Sequence, residues 1–553
     1  MTVKRRKRVC VLITHDDFPG QPFHVALGNI TVESEGPEDD FFDAPNPSDN
    51  EAQCSSGPEE PPAISEMQRR VIVTQENLHS GSTSELRAMG VEVDDDNDPA
   101  PENVPDSNRT AAAPSIFGEW NDAAIDLRKI GPYRNMSPSL KGMTSETVSL
   151  LSPKALFLLL FPTEYLKKSL LPATNKHLPQ HWPLTFDEFI VFLGIIFGMA
   201  TVQGFERRDF FSKEAVNGLK NPPFHVGEFM SRTCFEQVLS ALRYTDVEPP
   251  PFQDRFHEVC QLIYEWNTNM AEKFDPGWIT CLDESMSVWH SEWTCPGWMV
   301  VPRKPHPFRN EYHTICHALS GVLFALELVE DKDHPRELPM PEHEELGKTV
   351  GLLLHLTKSM YNTAHIVIMD SGFCVLKGII ELRKKGVFGS AVIKKHRYWP
   401  KYINGDMINQ HFQEKEVSDV DALPGTLDGA SFNIFCMKEP EYTMMLMSTY
   451  GSLNEVEEGA TARQWKGPNG EATSKQFNYR EPFFNHFRYR HAVDDHNGKR
   501  HSPISLEETW GTKWWPNRIF LFLVAVTEVN AKLVMEYFAQ DPSKKNIPML
   551  TFR

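Results

Sequence analysis

Apolar residues recur at three- and four-residue spacing through the segment that spans residues 140–275. Thr185 followed by Glu188 forms a capping box directly before the apolar run FIVFLGIIFGMATV, a combination typical of a helix N-terminus. The segments SRTCFEQVLSALRYT and FQDRFHEVCQLIYEWNTNMAEKF continue the helical spacing. The pattern therefore predicts a helical region over residues 140–275.

The pattern changes at Asp275-Pro276-Gly277 to short apolar runs that are typical of strands: WITCLDESMSVW, YHTICHALSGVLFALELVE, AHIVIMDSG, GSAVIKK and YTMMLMSTYG. An amphipathic helix, CVLKGIIELRKKG, separates AHIVIMDSG from GSAVIKK. Strand, helix and strand in this order predict a parallel pair joined by a right-handed crossover. We expect a mixed α/β sheet from residue 276 to about 450, and a long apolar helix after Leu506.

The N-terminal part of the chain has a different composition. Residues 33–130 are rich in Pro, Ser, Asp and Glu, and such a segment buries too little apolar surface to offset its chain entropy. It is predicted to be a disordered acidic tail, preceded by a short basic N-terminus with a strand-like segment over residues 1–32. The run from Lys4 to Arg8 matches a nuclear-import or nucleic-acid patch; a solvated basic end is the alternative.

Most of the negative charge belongs to this tail. The chain carries a net charge of −19, and residues 1–110 hold 22 acidic against 9 basic side chains, a net of −13. The remaining −6 is spread over more than 400 residues, so local basic patches that bind phosphate remain compatible with the composition.

Cysteines and apolar runs exclude several classes of protein. The nine cysteines occur singly, without a CxxC pair or zinc-finger spacing, so no structural zinc is predicted and the thiols are expected to stay reduced. All apolar runs are shorter than the roughly 18 to 20 residues that cross a bilayer. The N-terminus does not read as a secretory signal. We therefore expect an intracellular protein with no membrane segment.

Three aspartates stand at or just after apolar runs that read as buried strands: Asp283, Asp370 and Asp494. Three carboxylates that converge from rigid strand ends can bind two Mg²⁺ ions. The alternative is that each aspartate merely begins a turn. Glu284, next to Asp283, is expected on the opposite strand face and is not counted as a ligand.

Five ordered blocks of sequence surround these aspartates: LDESM with PRKPHPFRNEYHTICH, IMDSGFCVLKGIIELRKKGVFGSAVIKKHRYWPK, YTMMLMSTYGS, FFNHFRYRHAVDDHNGKRH, and the tail W-x-x-R-I-F-x-F-L-x-x-x-x-E-V-N-A. Together they resemble the piggyBac transposase family, which includes piggyBac-derived proteins of host genomes. The resemblance covers residues 140–540.

The resemblance implies an RNase H-like, retroviral-integrase-like α/β fold. Its mixed-sheet catalytic core would span residues 276–500 with an insertion around 400–480, between a helical dimerisation and DNA-binding region over 140–275 and a C-terminal helical region over 501–553. It also implies cut-and-paste transposition of double-stranded DNA at TTAA sites by a nuclear homodimer.

The resemblance further assigns Asp283, Asp370 and Asp494 as catalytic ligands of two Mg²⁺ or Mn²⁺ ions. Asp495 is a further candidate ligand, because it can shift the register of the third aspartate. In the family an acidic residue follows the third aspartate by three positions, where this chain has Asn497.

Basic clusters accompany the aspartates and are interpreted as contacts to DNA phosphates; solvated loops are the alternative. They comprise Arg303, Lys304 and Arg309; Lys394, Lys395 and Arg397; Arg488 and Arg490; and Lys499 and Arg500.

Three functions follow as hypotheses. The first is a piggyBac-like transposase, and the second is a domesticated nuclear DNA-binding or chromatin-associated protein without strand transfer. The third is a nuclease with the same metal site. No cysteine-rich module follows the last predicted helix, which argues against specific grip on transposon ends, and the acidic tail is a candidate site for a protein partner.

Overall fold

A computed structural model defines the architecture of the chain. It describes residues 8–14, 68–74, 120, 136–213, 222–248, 256–289, 295, 298–300, 308–329, 346–393, 405–466, 470–512 and 514–553.

Strands occur in two parts of the chain, a short N-terminal pair and a set between residues 139 and 480. They are β1 (Arg8–Thr14), β2 (Gln68–Thr74), β3 (Ser139–Leu140), β4 (Phe274–Asp275), β5 (Ile279–Val288), β6 (Trp298–Val300), β7 (Phe308–His317), β8 (Leu323–Leu328), β9 (Ile366–Met369), β10 (Phe388–Ile393), β11 (Val420–Leu427), β12 (Ala430–Lys438), β13 (Thr443–Ser448), β14 (Glu455–Lys466) and β15 (Ala472–Arg480).

Helices precede, interrupt and follow the sheet. They are α1 (Ser145–Ser149), α2 (Pro153–Leu160), α3 (the consecutive segments Thr163–Tyr165, Leu166–Leu170 and Leu171–Asn175), α4 (Phe186–Ala200), α5 (Arg232–Ala241), α6 (His257–Lys273), α7 (Lys348–Leu356), α8 (Leu376–Lys384), α9 (Gly405–His411), α10 (Glu481–Tyr489), α11 (Ala492–Arg500), α12 (Leu506–Thr509), α13 (Trp515–Phe538) and α14 (Met549–Phe552).

One mixed sheet organises the described residues. Its strand order is β11-β12-β13-β10-β9-β5-β7-β6, and β8 pairs with β7 as a ninth strand. Strand β9 is parallel to both neighbours, β5 and β10, whereas the other pairs are antiparallel. The parallel pair predicted on either side of CVLKGIIELRKKG is therefore confirmed, with α8 as the connection.

The predicted capping box begins α4. The Thr185 hydroxyl accepts a hydrogen bond from the Glu188 N–H at 3.3 Å, and the Glu188 carboxylate accepts one from the Thr185 N–H at 2.9 Å. Two donors that a helix start leaves without partners are thus satisfied by side chains.

Helix α13 joins the helical region to the sheet. It is buried along nearly its whole length, including the polar side chains of Arg518 and Glu528, which find partners inside the protein. Thr527 accepts a hydrogen bond from the indole of Trp266 on α6 at 2.9 Å, and Phe522 stacks on Tyr312 of β7 at 3.8 Å between ring centroids. Helices and sheet therefore share one hydrophobic core. Within the described ranges, no helix is long and apolar enough to cross a membrane.

Two parts of the chain differ from the sequence prediction. The antiparallel partner of β1 is β2, which lies inside the segment predicted to be disordered; its sequence QRRVIVT is a local run of β-branched residues, which favours a strand. Apart from β2 and Trp120, residues 33–130 lie outside the described residues.

The hairpin of β11 and β12 was not predicted individually, although its turn has a recognisable sequence. Asp428 and Gly429 form a two-residue turn with φ values of 49° and 77°. An Asp-Gly pair with positive φ at both positions is the preferred chemistry of a type I′ hairpin turn.

Candidate active site

Two of the three predicted aspartates lie side by side at the same edge of the sheet. Strands β5 and β9 are parallel neighbours, and their last paired residues are Leu282 and Met369. Asp370 follows the last residue of β9, whereas Asp283 lies inside β5, which continues to Val288, so the prediction of a strand end holds for Asp370 and is wrong for Asp283. Because both aspartates come directly after this pair, we expect their side chains on the same face of adjacent strands, about 5 Å apart in the backbone. Asp370 is exposed and begins the short turn Ser371–Phe373 without capping it by a side-chain hydrogen bond.

Asp494 does not follow a strand, so the prediction of a strand end is wrong for this residue. It lies in the first turn of α11. The apolar part of RHAVDD is too short to form a buried strand, and acidic residues are favourable in the first turn of a helix because they face its partial positive charge.

Helix α11 nevertheless crosses β5 next to Asp283. The thiol of Cys281 on β5 donates a hydrogen bond to the carbonyl of Arg490, just before the helix, at 3.2 Å. Within the helix, the side-chain amide of Asn497 donates to the carbonyl of Glu284 at 3.3 Å. These two contacts bracket Asp494 on the helix and Asp283 on the strand.

The pKa shifts of two groups on β5 also indicate that the charges of the other aspartates act at Asp283. Burial, together with the charges of Glu284, Asp370 and Asp494, raises the pKa of Asp283 to about 8, against the effect of a hydrogen bond from the Glu284 N–H. Burial also raises the pKa of the Cys281 thiol, with contributions from the charges of Asp283 and Asp494. Of the two adjacent aspartates, Asp494 rather than Asp495 is among the main charges that act on Asp283.

Glu284 belongs to this acidic group although it was set aside in the sequence analysis. Its carboxylate oxygen lies 3.6 Å from the point that a Cβ atom would occupy on Gly372, two residues after Asp370. Its charge is the largest of those that raise the pKa of Asp283. A carboxylate next to Asp283 in sequence therefore acts on it whichever face of β5 its side chain leaves.

The arrangement fits a divalent cation by its residue types. Carboxylate oxygens are the ligands that Mg²⁺ and Mn²⁺ prefer. A bound cation stabilises the ionised form of a carboxyl group whose pKa is raised by neighbouring negative charges. Among the described residues, no three His, Cys, Asp or Glu side chains are already arranged around one point that could hold a metal ion. We call Asp283, Glu284, Asp370 and Asp494 the acidic edge; that its three aspartates hold a metal together stays a prediction.

The predicted DNA-binding residues fall into three groups. The loop residues Arg303, Lys304, Lys394, Lys395 and Arg397 lie outside the described residues.

Three described basic residues, the second group, lie at or near the surface around α11. Arg488 and Arg490 are exposed and Lys499 is half-buried. Arg488 forms an ion pair with Glu458 on β14, and Arg490 donates to the ring of the adjacent His491 at 3.1 Å. These side chains flank the helix that carries Asp494.

Arg309 and Arg500, the third group, are buried, with exposed fractions of 1% and 2%. The prediction that they contact DNA does not fit this burial. A cation removed from water requires an internal anion or hydrogen-bond acceptors, and for Arg500 the structure provides them: it pairs with Glu507.

Comparison with known proteins identifies the family of this chain. The family model described as Transposase IS4 matches residues 152–532, so the chain belongs to that family.

Among solved structures, the chain is similar to piggyBac transposase in a cryo-EM synaptic complex with hairpin DNA. The TM-score is 0.53 at 14% sequence identity, over 76% of this chain and 80% of that chain. No curated protein matches. The resemblance to piggyBac transposases that the sequence blocks predicted is thus confirmed at the level of family and fold.

Proposed function

We propose that this chain is a piggyBac-like transposase that cuts and joins DNA by metal-dependent phosphoryl transfer. The observation that carries the proposal is the placement of Asp283 and Asp370 in register on neighbouring parallel strands, with the helix of Asp494 crossing beside them. Membership of a transposase family and a fold similar to a DNA-bound transposase support it.

Asp283, Asp370 and Asp494 would hold two divalent ions, Mg²⁺ or Mn²⁺, with Asp495 as a further candidate ligand. When bound, such ions activate the attacking oxygen and stabilise the leaving oxygen of an in-line displacement. The chain's own contribution is to orient the carboxylates. The Glu284 N–H donates to the Asp283 carboxylate at 2.8 Å, which fixes that side chain, and the pKa of Asp283 of about 8 means that metal binding displaces a proton from it.

The remaining parts of the proposal concern DNA and assembly. We infer an RNase H-like core, double-stranded DNA cut at TTAA sites, and a nuclear homodimer. Phosphate contacts are assigned to Arg303, Lys304, Lys394, Lys395, Arg397, Arg488, Arg490 and Lys499, because basic side chains that accompany the three aspartates along the sequence can supply the charge that DNA requires.

A transposon-excision assay tests this function. A plasmid that carries a marker between the element's own terminal repeats is incubated with the wild-type protein or with Asp283→Asn, and DNA binding is followed in parallel by fluorescence anisotropy. We expect excised product from the wild type alone, with equal DNA binding by both proteins. If both proteins bind DNA equally and neither yields product, the catalytic proposal fails and a DNA-binding protein without strand transfer is favoured.

A further inference from the structure

The C-terminal end of α11 is held inside the protein by one guanidinium group. Arg500 pairs with the carboxylate of Glu507 on α12, and both side chains are fully buried. A second nitrogen of Arg500 donates to the carbonyl of Met286 on β5 at 2.6 Å and to the side chain of Asn497 at 3.2 Å. A single side chain therefore joins α11, α12 and β5.

Glu507 supplies a second connection to the same strand. The hydroxyl of Ser287 on β5 donates to its carboxylate at 2.5 Å. Burial alone would raise the pKa of Glu507, but the charges of Arg500 and His501 and the hydrogen bonds from Ser287 and Arg500 outweigh burial and keep the pKa lowered. The carboxylate is thus ionised between two partners, one on the helix and one on the strand.

This ion pair is anchored in the core rather than at the surface. The Arg500 guanidinium lies 4.6 Å from the ring centroid of Phe522 on α13. Arg518, also on α13, donates to the carbonyl of Glu507 and, at 3.2 Å, to that of Trp510. Helix α12 is therefore fixed to α13, which gives the ion pair a rigid base.

Through the hydrogen bonds of Arg500 and Glu507 to Met286 and Ser287, the ion pair connects α11 to β5. These two elements carry Asp494 and Asp283. On α11, Arg500 follows Asp494 by six residues, about 9 Å of helix. On β5, Ser287 follows Asp283 by four residues, about 13 Å of strand. Because a helix and a paired strand are stiff over these lengths, a connection at their far ends constrains the distance between the aspartates at their near ends.

We propose that Arg500 and Glu507 are positioning residues that hold the Asp494 helix against the Asp283 strand and so set the geometry of the carboxylates toward metal. This inference rests on the proposed function for its metal, but not for the contact itself. Neither residue touches the acidic edge, so their effect is exerted through α11 and β5.

The test compares Arg500→Lys with Arg553→Lys. Arg553 forms a second buried ion pair, with Glu528 on α13, at 2.6 Å, and it has no contact with α11 or β5 among its described hydrogen bonds. Each substitution keeps the charge and removes the guanidinium fork. Melting temperatures measured beside each experiment show whether the two variants are matched in stability.

Mn²⁺ binding, followed by the electron paramagnetic resonance signal of the free ion, is the first readout. Residues that orient metal ligands typically change metal affinity by about 10- to 100-fold when substituted. We expect Arg500→Lys to weaken Mn²⁺ binding by about tenfold and Arg553→Lys by less than about twofold. Equal affinities in the two variants would overturn the inference.

Hydrogen exchange of the metal-free protein is the second readout, and it does not depend on activity. We expect the amides of residues 493–497 to exchange about tenfold faster in Arg500→Lys than in Arg553→Lys, because the helix opens locally more often. Equal exchange rates contradict the inference. If the wild type binds no Mn²⁺, the proposed function fails, and the exchange rates still decide whether the ion pair holds α11.

A milder variant covers the case in which Arg500→Lys does not fold. Ser287→Ala removes only the hydrogen bond to Glu507 and leaves the ion pair in place. We expect it to speed exchange in α11 by about threefold, the size of one ordinary intramolecular hydrogen bond near the low end of its range. An unchanged exchange rate in this folded variant would count against the connection between β5 and α12.

Discussion

The two ends of helix α11 place charged side chains in opposite environments. Its first turn carries Asp494 and Asp495, both exposed, with Asp494 at 56% side-chain exposure. Its last turn carries Arg500, whose side chain is fully buried against an equally buried Glu507. One end of the helix presents charge to solvent beside other carboxylates, and the other end neutralises charge inside the core.

In our proposal, the exposed end of α11 carries a metal ligand and the buried end holds the helix in place. At the acidic end, repulsion is left in place, and burial together with the charges of Glu284, Asp370 and Asp494 raises the pKa of Asp283 to about 8. Such repulsion costs stability and is relieved by a cation. At the other end every charge has a partner, because an unpaired charge there would cost far more than it does at the surface.

The largest expected effect is the loss of DNA cleavage when Asp283 of the acidic edge is substituted. Asp283→Asn is expected to lower DNA cleavage by at least about 1,000-fold, since it removes a proposed metal ligand. The free energy of unfolding of the metal-free variant at about pH 7.5 should rise by at least about 1 kcal/mol. With a pKa of about 8, Asp283 holds a proton in the folded chain that the unfolded chain releases at this pH, and the substitution removes this cost. Cleavage and chemical denaturation measure the two effects.

Asp275→Asn is the control for this variant, since Asp275 is a half-exposed aspartate that pairs with Lys141 at 3.0 Å near the start of the same strand. It should change neither cleavage nor stability by much. Loss of stability in Asp283→Asn comparable to its loss of activity would mean that Asp283 is structural.

Disruption of the buried ion pair should lower the free energy of unfolding, whereas substitution at the acidic end should raise it. Glu507→Ala leaves the Arg500 guanidinium buried without its anion, and removal of one partner of a buried pair typically costs about 3–5 kcal/mol of unfolding free energy. The neighbouring Glu508→Ala removes a partly exposed carboxylate beside His501 and should cost less than about 1 kcal/mol. Urea denaturation of both variants checks the contrast, and similar midpoints would contradict it.

A buried histidine tests whether the core also keeps an ionisable side chain neutral when it has no charged partner. His317 at the end of β7 is fully buried, and burial, with a smaller effect of His365, lowers its pKa to about 3. The unfolded chain takes up a proton below about pH 6.5 and the folded chain does not, so acidification favours unfolding.

We expect His317 to account for about 2 kcal/mol of stability lost between about pH 7.5 and pH 5. His317→Gln should reduce the pH dependence of the unfolding free energy by that amount, whereas His181→Gln, at an exposed position, should leave it unchanged. Identical pH dependence in His317→Gln and the wild type would show that the imidazole is protonated in the folded state.

The last comparison, between Asp494→Asn and Asp495→Asn, tests which of the two exposed aspartates is the third ligand. Asp494→Asn is expected to lower cleavage by about 100-fold, whereas Asp495→Asn should lower it by less than about threefold. The reason is that Asp494 is among the main charges acting on Asp283. A larger loss in Asp495→Asn than in Asp494→Asn would reverse the assignment of the third ligand.

Local sequence patterns predicted the parts of this fold that depend on neighbours in the chain. The capping box at Thr185 and Glu188 is a three-residue signal, and the structure forms it. Strand β5, which contains Asp283, and strand β9, which Asp370 follows, were recognisable as short apolar runs, and the amphipathic helix after β9 predicted its parallel partner β10.

Features that depend on distant residues were not predicted. Arg500 lies in the run Lys499-Arg500-His501, which reads as a solvated charged surface, and its burial depends on Glu507 and on the carbonyl of Met286 from a strand more than 200 residues earlier. The helix of Asp494 likewise forms against β5, because RHAVDD alone carries no strong preference for strand or helix.

The late position of helix α13 in the chain affects how the protein can fold during its synthesis. Trp266 and Tyr312, which are synthesised 200 or more residues earlier, both complete their contacts on this helix. A chain emerging from the ribosome must therefore hold the helical region and most of the sheet with an unfilled apolar groove until residues 515–538 arrive. The late arrival of this helix makes nascent chains a natural target for chaperones that bind exposed apolar surface.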